Sequence, residues 1–252
     1  RVDVGDQDWV IAQHGARLPQ VSAGAGNLTI TGPGAALTTV QRDPGALTGF
    51  RLLDTLAGVL RVSGLTLKGG SPGAAGGAIL ENGTNTAVYL DGVVLDGNAA
   101  GGGTANGAAA GNGGAVYVGS NNFLSVRNST ISGNSATGDG GGIYFFSGGG
   151  LVVENTTVTG NSSGGTVGGG GLYWFGIAGA TPPPGFTPNT VVISNSSFAN
   201  NSTSVAAGGG IAIPNLTGTF LAQNSTFAGN SSATTGGGIN VNGGAVVVQG
   251  ST

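Results

Sequence analysis

Side chains able to do acid–base, nucleophilic or metal chemistry are few in this chain: ten acids, seven bases, one histidine and no cysteine among 252 residues. Asp3, Asp6 and Asp8 alternate within VDVGDQD, and hard oxygen ligands of this kind suit calcium. The D-x-[DN]-x-[DN]-G spacing of an EF-hand loop is absent, so this cluster reads as a solvated terminus. His14 has no carboxylate nearer than Asp8 in sequence and no thiol to activate, which leaves no triad to build on it. Glycoside hydrolysis needs two carboxyl groups straddling one bond. The regularly placed acids, Asp91 and Glu154, have Arg127 between them, and Asp96 shares its alignment position with Lys68. Charges placed in compensating columns read as surface ladders worth about 0.2–1 kcal/mol per pair. No catalytic residue, no metal site and no cofactor is expected.

A repeat places these residues. A twelve-residue unit reads VLRVSGLTLKGG from Val59, AVYLDGVVLDGN from Ala87 and FLSVRNSTISGN from Phe123. It continues as GLVVENTTVTGN from Gly150, TVVISNSSFANN from Thr190 and TFLAQNSTFAGN from Thr219, and AVVVQGST from Ala245 begins another copy. A Gly-rich turn and a GG(A/G)-apolar motif follow each complete unit, the apolar residues being Ile79, Val116, Ile143, Leu172, Ile211 and Ile239. Apolar residues fall at unit positions 2, 4 and 9, as in Leu124, Val126 and Ile131, and alternation by two is the strand signal. One unit cannot bury its own apolar side, so the units must stack. The expected fold is all-β: a right-handed single-stranded parallel β-helix, with three short strands per rung and rungs about 4.8 Å apart. Val126, Ile131, Val153, Val158 and Ile193 are its predicted core.

Turn chemistry agrees with this. Position 6 carries Asn128, Asn155, Asn195 and Asn224, with glycine in the other copies, and position 12 carries Asn98, Asn134, Asn161, Asn201 and Asn230. Asparagine tolerates left-handed backbone angles, and stacked amides hydrogen-bond from rung to rung. Many of the eleven N-x-S/T sequons lie at these positions, so the repeat accounts for them better than glycosylation does. Asp139 reads simply as a loop residue. The repeat domain spans 26–252, with loop insertions at 99–112 and 176–189; Pro182–Pro184 should stiffen the second. Residues 1–25 lack repeat character and read as an N-terminal cap over the open edge.

Composition excludes several functions. The 55 glycines lack collagen's every-third spacing, and 38% apolar residues are enough to fold. Charged residues make up 7%, the net charge is −3, and Lys68 is the single lysine, so no basic patch for nucleic acid exists. No run of eighteen apolar residues spans a membrane. The absence of cysteine suits an exported protein that folds without oxidation, placing it outside the cell or on a bacterial surface. The last copy stops midway through a unit, so end-to-end self-association into a filament, or a longer parent chain, is expected.

GGAI at Gly76–Ile79 and GGAV at Gly113–Val116, with F-x-x-N at Phe198–Asn201 and Phe227–Asn230, resemble the repeat motifs of polymorphic outer-membrane proteins, which are bacterial autotransporters with β-helical passengers. NLTITGPG at Asn27–Gly34 and VLRVSGLTLKGG resemble the secreted bacterial right-handed β-helix repeat proteins, many of which carry a CSLREA-type leader. The resemblance implies a structural or adhesive surface protein without catalysis; a carbohydrate-binding or polysaccharide-degrading β-helix protein is the alternative. Flat-surface or ice binding would call for outward threonine rows, and T-x-T occurs within a unit only at Thr157–Thr159. The residue after the GG(A/G)-apolar motif is Tyr117, Tyr144 and Tyr173 in three consecutive copies. By alternation these tyrosines point outward as an aromatic stripe, a platform for sugar rings or a partner chain.

Overall fold

The computed structural model describes residues 2–3, 9–13, 26–83, 86–103, 108, 111–119, 121–176 and 187–252, with side chains from Gly26 onward. Its elements are strands, and every pairing between them is parallel. Each rung contributes one strand to each of three long sheets. The first sheet stacks Leu28–Thr31, Val59–Ser63, Ala87–Asp91, Phe123–Arg127, Leu151–Glu154 and Thr190–Ser194. The second stacks Thr38–Arg42, Thr66–Lys68, Val94–Asp96, Thr130–Ser132, Thr157–Thr159, Ser197–Ala199 and Thr226–Ala228. The third runs through Leu53–Thr55, Ile79–Glu81, Val116–Val118, Ile143–Phe146 and Leu172–Phe175. In the last two rungs the strands Ile211–Gln223 and Ile239–Gln249 run continuously from the third sheet into the first. A fourth, narrow ladder of two-residue strands, from Ala99–Ala100 to Ser231–Ser232, follows the asparagine of position 12. The molecule is an all-β parallel β-helix.

The core is the inside of this coil. Val126, Ile131, Val153, Val158 and Ile193 are fully buried, as their unit positions require. They stack in register, with Val126 beside Leu90 and Val153, and Val153 beside Ile193. Phe198 and Phe227 stack face to face in the same interior at 5.7 Å.

Turn geometry explains the repeat motif. At position 6 the φ angles of Asn128, Asn155, Asn195 and Asn224 are 51°, 50°, 50° and 48°, the left-handed corner that asparagine and glycine accept. The first glycine of each GG motif also has positive φ, for example 71° at Gly113 and 68° at Gly140. The second is needed for close approach: a Cβ on Gly114 would lie 2.0 Å from the carbonyl oxygen of Gly141 on the next rung. The position-12 asparagines form a buried ladder. Asn98 donates to Asn134 at 3.0 Å, Asn134 to Asn161 at 2.8 Å and Asn161 to Asn201 at 2.9 Å.

Two short strands precede the repeat domain. Val2–Asp3 pairs with Leu28–Thr31, and Trp9–Gln13 pairs with Thr38–Arg42, adding strands to the first and second sheets. Parallel pairing needs only extended backbone in register, which VIAQ supplies without the unit's turn residues. The remainder of 1–25, including Asp6, Asp8 and His14, lies outside the described residues, as do residues 177–186 with Pro182–Pro184 and most of 104–110.

Candidate functional site

Strand alternation puts unit positions 3 and 5 of the first sheet on its outer surface. Position 3 presents Thr29, Arg61, Tyr89, Ser125 and Val152 on successive rungs; position 5 presents Thr31, Ser63, Asp91, Arg127 and Glu154. All of these except Thr31 and Glu154 border an open groove of about 460 Å³. Arg61 and Tyr89 are register partners, and the guanidinium carbon lies 4.0 Å from the Tyr89 ring centroid. The contact holds the charged head against the Tyr89 ring while its N–H edges stay available to a ligand. Arg127 forms an ion pair with Glu154 and donates through Nε to the Ser125 hydroxyl at 3.3 Å. Asp91 accepts a hydrogen bond from the Asn128 amide at 2.7 Å. On the second sheet Lys68 meets Asp96 at 2.8 Å. The charge columns therefore stand where the repeat alignment puts them. At these exposures each pair contributes about 0–1 kcal/mol.

The aromatic column is brought together but is not a surface. Tyr117 and Tyr144 stack at 5.0 Å, and Tyr144 and Tyr173 at 4.7 Å with rings parallel within 1°. Their side chains do point away from the coil interior, yet the residues are only 4%, 6% and 5% exposed. Ala75, Ala108 and Val167, from the Gly-rich turns, pack over them with Leu80, Phe146 and Phe175 to form a second, smaller apolar cluster. The expected exposed platform is thus corrected to a covered stack. Burial, together with the negative charge of Asp139, drives the phenol pKa values of Tyr144 and Tyr173 upward.

Asp139 is more than a loop residue. Its Oδ1 accepts backbone N–H bonds from Val167 at 2.9 Å and Gly168 at 2.8 Å, one rung on. Asn112 accepts the Asp139 N–H at 2.8 Å. Asp139 therefore ties together the turns that cover the tyrosines, and its own burial raises its pKa.

Two buried ionisable features were not singled out from the sequence. Arg51 pairs with Asp54 at 3.2 Å and donates to the carbonyls of Ala75 and Gly76 at 2.6 and 3.2 Å, riveting adjacent rungs. Glu81 occupies an inward-phase position, in register with Thr55 and Val118, and is fully buried. Its Oε1 accepts the Thr86 hydroxyl and the Gly83 N–H, while Oε2 has no partner. Desolvation pushes its pKa up to about 8, against the lowering effect of those hydrogen bonds. A raised carboxyl is the signature of a general acid, but Glu81 is sealed from any polymer outside the coil. Among the described residues no group of three His, Asp or Glu side chains is placed to hold a metal ion.

No curated protein matches the chain. No solved structure matches it either. A family model described as a right-handed β-helix region does match, over residues 59–252, which is most of the chain and all of its complete repeat units. With the parallel rungs, left-handed asparagine corners and stacked GG turns described above, that match makes this chain a member of the right-handed β-helix family.

Proposed function

We propose that this is an extracellular structural or adhesive β-helix protein that holds an extended ligand along the outer face of its first sheet. The observation that carries this reading is the Arg61–Tyr89 stack set in an open groove. An aromatic ring with a flat cation over it offers a sugar-bearing ligand both an apolar face and charge-assisted donors. The floor is made by strands of a rigid coil, so binding orders little of the protein and costs little conformational entropy. The low charge content and the absence of cysteine support an exported location.

Binding without cleavage is favoured by the engagement of the surface acids. Asp91 is hydrogen-bonded to Asn128, and Glu154 is paired with Arg127. An array of extracellular polysaccharides tests the reading, with retention and release of new chain ends measured on the same samples. The expected result is retention of at least one polymer, lost in Tyr89→Ala, with no new chain ends. Cleavage products, or retention indifferent to Tyr89→Ala, would move the function elsewhere.

A further inference from the structure

We infer that the groove on the first sheet selects a linear glycan in which an acidic sugar alternates with an uncharged one. This rests on the binding role proposed above. Four consecutive rungs present Arg61 at unit position 3 and then Asp91, Arg127 and Glu154 at position 5, so the sign of charge alternates from rung to rung along a line that runs obliquely to the coil axis at Arg61. Arg61, Asp91 and Arg127 are exposed. Like charges recur every second rung, about 10 Å apart along the axis. One sugar ring advances a glycan by nearly one rung, so a disaccharide spans two rungs and brings its acidic groups into step with the arginines.

The residues between the arginines set the preference. An anionic group above Arg61 meets a guanidinium already held against the Tyr89 ring, and the next one along meets Arg127, where it competes with Glu154 for the guanidinium. The sugar between them lies over Asp91, which accepts hydrogen bonds from hydroxyl or amide groups but repels a carboxylate. Ser125 and Val152 keep the floor low enough for ring faces to lie on it. A polymer with an acid on every ring sets alternate anions against Asp91 and Glu154, and these like-charge contacts act as the specificity element. The match is therefore to the period of the charge and not to its total.

The test uses the full chain and three glycan oligomers of equal length: hyaluronate, in which a uronate alternates with an N-acetylhexosamine; oligogalacturonate, with a uronate at every ring; and a neutral cello-oligosaccharide. Calorimetric titration should show hyaluronate binding about tenfold or more tighter than either of the others. Arg61→Gln and Arg127→Gln should each weaken it by about tenfold. Asp91→Asn with Glu154→Gln should raise affinity for oligogalacturonate and narrow the preference. Melting curves report whether each variant folds, and the salt dependence of wild-type hyaluronate binding supplies a readout that needs no variant. Oligogalacturonate binding as tightly as hyaluronate, or a preference unchanged by the acid-to-amide variant, would overturn the alternation while leaving the binding role standing. Neutral oligomer binding equally well, with both arginine variants silent, would do the same. Failure of all three oligomers to bind would overturn the glycan class and the binding role together.

Discussion

At the residue scale the groups with most chemical consequence are Glu81 and Asp139. Glu81 has its carboxyl in the dry interior, so the folded state prefers it protonated, and its pKa rises from 4.5 to about 8. The sign of the pH effect follows. Between those values the unfolded chain has released the proton that the folded chain retains, so unfolding sheds a proton. The stabilisation is complete below pH 4.5 and is lost as pH rises through about 8. Wild-type protein should therefore melt at a lower temperature at about pH 9 than at about pH 5, and Glu81→Gln should flatten the difference. Circular dichroism melts at the two pH values check this; a Gln variant as pH-sensitive as wild type would assign the titration to another group.

At the element scale the Gly-rich turns do two jobs. They close each rung, and they cover the third sheet's outer face. Asp139 accounts for the second job, because it accepts both the Val167 and Gly168 amides from a neighbouring turn. Asp139→Ala removes the acceptor from two partly buried donors at a cost of about 1–3 kcal/mol. Faster amide exchange at Val167 and Gly168, with the first sheet unchanged, is the expected result. Exchange unchanged at both amides would mean that the turn is held by its packing on Tyr144 and Tyr173 alone. The position-12 asparagines work differently, since they bridge rungs: Asn134 donates to Leu95 O at 3.0 Å and its Oδ1 accepts the Asn98 backbone N–H at 2.9 Å on the rung before, and its amide donates to Asn161 on the rung after at 2.8 Å. That ladder fixes register, because a slip by one residue would strand every amide.

At the scale of the whole molecule the coil is quasi-one-dimensional: each rung is stabilised by its neighbours, and one interior runs the length of the described repeats. A defect in a central rung should be felt by the rungs on both sides. Val153 is fully buried between Val126 and Ile193, so Val153→Asp leaves an uncompensated charge in the core, costing about 3–5 kcal/mol. The variant should melt well below wild type by circular dichroism; a melt within a degree or two would contradict the placement of that rung. The same one-dimensional order repeats each unit position of the first sheet at every strand spacing.

Much of this molecule was legible in its sequence. Rung period, inward columns, left-handed corners at Asn128, Asn155, Asn195 and Asn224, and the charge columns at Asp91–Arg127–Glu154 and Lys68–Asp96 all follow from local rules repeated every rung. Alternation by two decides which way a side chain points, and turn chemistry decides where the chain bends. Placing Arg61 and Tyr89 together needed only the same alignment, because both occupy position 3. What tertiary structure alone decided is burial outside the coil. Alternation says that Tyr117, Tyr144 and Tyr173 leave the interior; it does not say what lies beyond the sheet. Turns from several rungs pack over them, along paths set by irregular loop lengths and by Asp139, which has no counterpart at a unit position. The Arg51–Asp54 pair and the burial of Glu81 as a carboxyl also emerged only from the folded chain. Arg51 and Asp54 precede the first GG(A/G)-apolar motif, where no period predicts a neighbour; Glu81 stands where later copies carry Val118, Phe145 and Trp174, so alternation turns it inward, but only the folded chain shows that a carboxyl is enclosed there in a medium that penalises charge.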